Sequence, residues 1–145
     1  MPTPPFSRTT CACRTCVQSC YRQPGPLAPG DLERIAEYLG LTIEEAKKHF
    51  WASPGGMMMV NNRVHRVGTV TPKRRRGKCV FLDDDDRCRI HPVATAGCAL
   101  FDTHMPTELA KERGVWLMTA QMEDAQYQAL RDELPYAQSY RPSPY

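Results

Sequence analysis

Four cysteines fall within ten residues near the start of this chain, at Cys11, Cys13, Cys16 and Cys20. The pattern, C-x-C-x-x-C-x-x-x-C, constrains the possible folds more than any other feature of the sequence. Cys79, Cys88 and Cys98 bring the total to seven in 145 residues, an odd number that cannot pair completely into disulfides. No apolar run behind a basic start opens the chain, so no signal peptide is expected. No stretch approaches the ~20 apolar residues of a membrane-spanning helix. The expected compartment is therefore the cytoplasm, where thiols stay reduced and a dense cysteine set binds metal or does redox chemistry.

The spacings carry further meaning. A C-x-x-C step, here Cys13 and Cys16, lets a tight turn aim two sulfurs at one ion. Cys16 and Cys20 are four apart, which on a helix puts them on one face. Zinc takes four thiolate or imidazole ligands, and iron–sulfur clusters likewise take four cysteines. Seven cysteines exceed the needs of one site and fall one short of two all-cysteine sites. Three arrangements stay open: one site with spare thiols, a two-metal site with shared thiolates, or two sites with a histidine completing one. All seven cysteines are candidate metal ligands, and His91 and His104, on either side of Cys98, are the candidate completing imidazoles. Packing of cysteines as small apolar residues explains four of them in ten residues poorly.

The rest of the chain reads as one small α+β domain, irregular and metal-stabilised, since 41% apolar residues make a core but not a generous one. Thirteen prolines and nine glycines call for many turns. Asp31 opens a helix with Leu32, Ile35, Ala36 and Leu39 on one side and Gly40 as its stop. Thr42 caps a second helix, answered by Glu45, which is expected to run through Ala46 and Phe50. Residues 57–60 and 64–71, joined by Asn61-Asn62, read as a β-hairpin. Residues 73–78 read as a basic loop, and 79–82 with 87–90 as a second hairpin turning on four aspartates, with Cys79 and Cys88 at its open end. Residues 107–134 read as a C-terminal helix that Gly114 divides. The expected organisation is a flexible N-terminus (1–10), a cysteine-cluster metal-binding domain (11–134) and a flexible Pro/Tyr-rich tail (135–145).

Several of these residues carry a family resemblance. Leu27, Asp31, Leu32, Arg34, Ile35 and Ala36, then Leu39-Gly40-Leu41-Thr42, residues 79–83, Cys88-Arg89-Ile90 and Cys98 follow the early cysteines in order. In this the chain resembles the YkgJ-type cysteine-cluster family, also written CxxCxxCC, of zinc- or iron-chelating domains, from Cys11 to about Phe101. The resemblance implies a chelated metal as cofactor, either zinc or an iron–sulfur cluster. The chain departs from the family's opening C-x-x-C-x-x-C-C: aligned on Cys13, Cys16 and Cys20, the third cysteine falls on Ser19. Cys11 has no counterpart there and is the candidate replacement. Thr95-Ala96 stands where the family carries Arg-Pro.

Other signals are weaker. The basic run at 73–78 suggests phosphate, but four aspartates at 83–86 oppose its field, and a net charge of +3 argues neither for nucleic acid nor for a membrane. The aspartates lack the glycine and distal glutamate of a calcium loop and read as a polar turn. No catalytic set is visible, so the sequence leaves open whether the chain is an enzyme. The expected partner is a metal ion or cluster, with no protein partner named. Three functions compete: a metal-binding module whose metal organises the fold, an iron–sulfur protein with a redox or enzymatic role, and a nucleic-acid adaptor using residues 73–78.

Overall fold

Two helices form after Gly30 where the capping residues put them: α3 (Asp31–Leu39) and α4 (Ile43–Lys47), preceded by the single turns α1 (Arg14–Val17) and α2 (Ser19–Arg22). This computed structural model describes residues 6–8, 11, 13–22 and 24–137. Leu32, Ile35 and Ala36 are the buried stripe of α3, spaced as one helical face requires. Gly40 ends α3 at φ +69°, and the Leu41 N–H then reaches back to the Ala36 carbonyl (2.9 Å). The capping box of α4 is complete: Glu45 N donates to Thr42 Oγ1 (3.1 Å) and Thr42 N to Glu45 Oε1 (3.0 Å). The helix is shorter than expected, however. Phe50 belongs to β1 (Phe50–Val60), which pairs antiparallel with β2 (Arg63–Pro72). Its fully buried ring packs 5.7 Å from that of Phe81, so tertiary packing overrides the helical pattern.

Asn61 and Asn62 make the two-residue turn of this ribbon, with φ of +51° and +61°. A bulge between Ser53 and Gly56 interrupts the register. The second hairpin lies earlier than expected. β3 (Arg74–Arg75) pairs with β4 (Lys78–Cys79) around Arg76-Gly77, so the basic segment is itself the hairpin. Both turn residues take positive φ, +55° and +79°, the conformation a two-residue hairpin turn needs. Beyond it, 82 and 88 meet in a single bridge, and Cys79 faces Arg74 rather than Cys88.

A 3₁₀ turn (His91–Val93) and the one-turn α5 (Ala96–Ala99) lead to the C-terminal helices, α6 (Thr107–Glu123) and α7 (Ala125–Glu133). Gly114 sits inside α6 without breaking it. The break falls at Asp124, whose carboxylate caps α7 by accepting from Tyr127 N (2.8 Å). After α7 the chain lies along β1: Ala52 N donates to the Pro135 carbonyl and Ala137 N to the Ala52 carbonyl, both at 2.9 Å. Of the ends expected to be flexible, 1–10 and 135–145, residues 1–5, 9–10 and 138–145 lie outside the described residues. Among the described residues no helix is long and apolar enough to cross a membrane.

Two packed clusters hold these elements. The larger joins Leu27, α3, Phe50, Val70, Phe81, Ile90 and Tyr127, and the smaller joins Ala28, Ala96, Leu100 and Leu117. Burying each Leu, Ile or Phe of such a cluster contributes about 1.5–3 kcal/mol. Residues 24–28 thread between the clusters, and every bond that holds them comes from another element. Leu27 N donates to the Val70 carbonyl (2.8 Å), Gly97 N to the Pro26 carbonyl (2.8 Å), Thr95 Oγ1 to the Gly25 carbonyl (2.9 Å) and Gln121 Nε2 to the Leu27 carbonyl (2.9 Å). At this crossing two glycine backbones nearly touch. A Cβ on Gly25 would lie 2.5 Å from Cys98 N, and one on Gly97 would lie 2.5 Å from Pro26 N. The contact fixes where α5, and with it Cys98, meets the rest of the molecule.

Candidate metal centre

Cys13 precedes α1 in extended conformation and Cys16 lies within its single turn, so the C-x-x-C step is a local knuckle. The segment 102–104 closes over it. Asp102 Oδ1 accepts from His104 N (2.9 Å), a side-chain turn that re-aims the chain and presents the imidazole. His104 Nε2 then lies 3.4 Å from Cys13 Sγ, Thr103 Oγ1 lies 3.3 Å from Cys16 Sγ, and Cys11 Sγ lies 3.5 Å from Cys16 Sγ. The ligand atoms of Cys11, Cys13, Cys16 and His104 all fall within 4.8 Å of one another. Tetrahedral zinc with 2.3 Å zinc–sulfur bonds has sulfurs about 3.8 Å apart. Three thiols and an imidazole within 4.8 Å of one another can close on one such ion with movements on the order of an ångström. None of the seven cysteines, all among the described residues, is disulfide-bonded.

The electrostatics favour loss of a proton from Cys13. The Cys16 backbone N–H, the His104 ring and the Cys16 side chain together lower Cys13 to about 6, a thiolate at neutral pH. In return, the hydrogen bond and charge of Cys13 raise His104 above its ordinary value. Cys13 is thus prepared to bind a cation, and His104 is held on a hydrogen bond to the sulfur it would join.

The segment before the knuckle is anchored. Arg8 Nη2 donates to the Ala94 carbonyl (2.6 Å), Arg113 Nη1 reaches both the Ser7 (3.1 Å) and Leu100 (2.8 Å) carbonyls, and Phe6 sets its edge against Trp116. The N-terminal thiols are therefore brought to the turn after α5 from both sides.

The remaining sequence candidates lie elsewhere. The break at Gln18 ends α1 after one turn and puts Cys20 on α2, away from the four-atom cluster. Cys20, Cys88 and Cys98 line a cavity of about 660 Å³ whose wall also includes Cys11 and Cys16, and Cys79 is buried on β4. His91 lies on the wall of the cavity and outside the cluster, so of the two candidate histidines His104 is the one that meets thiols closely. The basic hairpin is partly answered by the aspartates, since Lys78 Nζ donates to the Asp83 carbonyl (3.0 Å) and lies 3.5 Å from Asp84. Sequence reasoning missed Asp102 and Thr103. Asp-x-His, in which an Asp side chain bonds to the backbone two residues on, is the signal that could have found them.

Fold and donor set together define a small cysteine-rich domain built around a chelating group of side chains. The chain belongs to the CxxCxxCC family, whose sequence model, described as a putative zinc- or iron-chelating domain, matches residues 12–131. Neither the curated proteins nor the solved structures compared with the chain gave a match.

Proposed function

We propose that Cys11, Cys13, Cys16 and His104 hold one tetrahedral divalent ion, zinc by preference, and that the ion organises the fold rather than performing chemistry. The observation that carries this reading is the meeting of three sulfurs and a ring nitrogen from two segments distant in sequence within 4.8 Å. A structural zinc site is closed by four protein ligands, whereas a catalytic one keeps a position for water. Four protein donors are present here, with Thr103 and Asp102 supporting them from behind. When bound, the ion supplies a cross-link between the knuckle at 11–16 and the turn at 102–104. Cys11 takes the place of the thiolate lost at Ser19, because it lies in the cluster beside Cys16.

Elemental analysis of protein purified without oxygen tests this directly. Zinc bound stoichiometrically, and lost from this site on His104→Ala or Cys13→Ser, is the expected result. A brown protein absorbing near 400 nm, containing iron and sulfide that persist in His104→Ala, would overturn the assignment and favour a cluster.

A further inference from the structure

Charge is spread unevenly along this chain. Nine of its 19 Lys and Arg residues fall between positions 46 and 82, and all 16 Asp and Glu residues lie outside that stretch. A net charge of +3 therefore conceals a strongly basic segment. Its densest part, read from sequence as a loop, is the β3–β4 hairpin. Arg75 lies opposite Lys78 there, and Arg76 stands in the turn at φ +55°. Cations held on paired strands lose less freedom on meeting a partner than those of an open loop.

Backbone bonds bring further cations beside this hairpin. Lys73 N donates to the His49 carbonyl (2.8 Å), Val80 N to the Lys73 carbonyl (2.8 Å), and Arg89 Nη2 to the Val80 carbonyl (2.9 Å). His49, Lys73, Arg75 and Arg89 thus stand as one group. After burial, the charges of Arg89, Lys73 and Arg75 are what hold the His49 ring below its ordinary value. The aspartates that follow leave this group uncompensated. Asp83 accepts from Asp85 N and Arg87 N, Asp84 lies 3.5 Å from Lys78 Nζ, and Asp86 accepts from Tyr21. Among the described residues, Lys73, Arg75, Arg76 and Arg89 form no salt bridge.

The exposed large apolar side chains of the described surface lie outside residues 73–78. Protein interfaces are built around apolar and aromatic anchors, and membrane-bound surfaces around apolar side chains that insert. A patch of charge alone suits a partner that offers repeated negative charge in the open. We infer that the β3–β4 hairpin, with His49 and Arg89 beside it, is a docking surface for the phosphate backbone of a nucleic acid, held without regard to base sequence. Each Lys or Arg that meets a phosphate releases condensed counterions, so salt reads the contact directly. The inference is independent of the ion at the knuckle.

Fluorescence anisotropy of a labelled duplex of about 20 base pairs and mixed sequence, titrated with the full chain as purified, tests this. With roughly four phosphates neutralised, affinity should fall about 100-fold between about 50 and 200 mM salt. Arg75→Gln with Arg76→Gln should weaken binding at least about tenfold at the lower salt and make the salt dependence shallower. Arg75→Lys with Arg76→Lys, which keeps the charge, should preserve both. Removing the same charge from the far end of β2, by Arg63→Gln with Arg66→Gln, should leave the salt dependence as it was. Equal losses in the two neutral pairs overturn the inference, because net charge rather than this surface is then responsible. Absence of binding at the lower salt, or binding that salt does not weaken, also overturns it. So does poly-glutamate binding more tightly than the duplex, which points instead to an acidic protein. Should the neutral hairpin pair fail to fold, Lys73→Gln takes its place: a shallower salt dependence supports the inference and an unchanged one refutes it.

Discussion

Asp31 shows how a single carboxylate sets the position of a thiol sixty-seven residues away. It is buried at the start of α3, where one oxygen accepts from the backbone N–H groups of Ala28 and Ala96 (2.8 Å each) and the other from Arg34 (2.6 Å). Burial raises its pKa, while those N–H groups and Arg34 pull it back. Ala96 opens α5, so this carboxylate binds the helix that carries Cys98 to the loop before α3. An unsatisfied buried N–H costs about 1–3 kcal/mol. Asp31→Ala strands two of them, with relief of the carboxylate's own burial as the offset. The expected net loss is about 2–4 kcal/mol, read as a lower urea midpoint. Asp31→Asn should lose less, because its amide oxygen can still accept both backbone bonds.

At the scale of elements, the aspartate run is a turn that its first member holds together. Asp83 Oδ1 accepts from Asp85 N (2.8 Å) and Arg87 N (3.0 Å), and Asp86 stands at φ +58°. The Arg87 N–H is the largest influence lowering the Asp83 carboxyl below its usual 3.8. A carboxyl lowered by folding stabilises the fold above its unfolded pKa, and that stabilisation is lost as pH falls through the folded value. Asp83→Ala should therefore lower the urea midpoint at pH 7, and the gap from the unaltered chain should close as pH falls below the ordinary value of 3.8 and on through the lowered folded one.

The same stretch shows what could be read from sequence. Local rules worked where a backbone bond or a dihedral angle decided the outcome: Gly40, the Thr42–Glu45 box and Asn61-Asn62 all did what their chemistry implies. They failed where distant contacts decided. Phe50 left its helix to pack on Phe81, and the four aspartates drew the expected second hairpin away from its true turn at Arg76-Gly77. In the candidate site, three of the first four cysteines and one of two proposed histidines came together. The assignment of Cys20 was hidden, because nothing in a four-residue spacing shows that the helix stops at Gln18.

For the molecule as a whole, the proposed ion closes one of the longest loops the chain contains, from Cys16 to His104. In the chain-entropy treatment, a cross-link over a loop of this order stabilises by about 4 kcal/mol. Stripping the metal with a chelator under reducing conditions should lower the melting temperature by roughly 10 °C. Restoring zinc should recover it, whereas magnesium, which prefers oxygen ligands, should not. Differential scanning fluorimetry with and without added zinc reads both effects.

The crossing of Gly25 over Gly97 carries a consequence for how this protein tolerates change. Neither residue has a side chain with which to bind anything, yet a single methyl at either would wedge the two strands of backbone apart and carry the nearby sulfur outward with them. A survey that scored only reactive side chains would pass over both positions, and they should rank among the least replaceable in the chain.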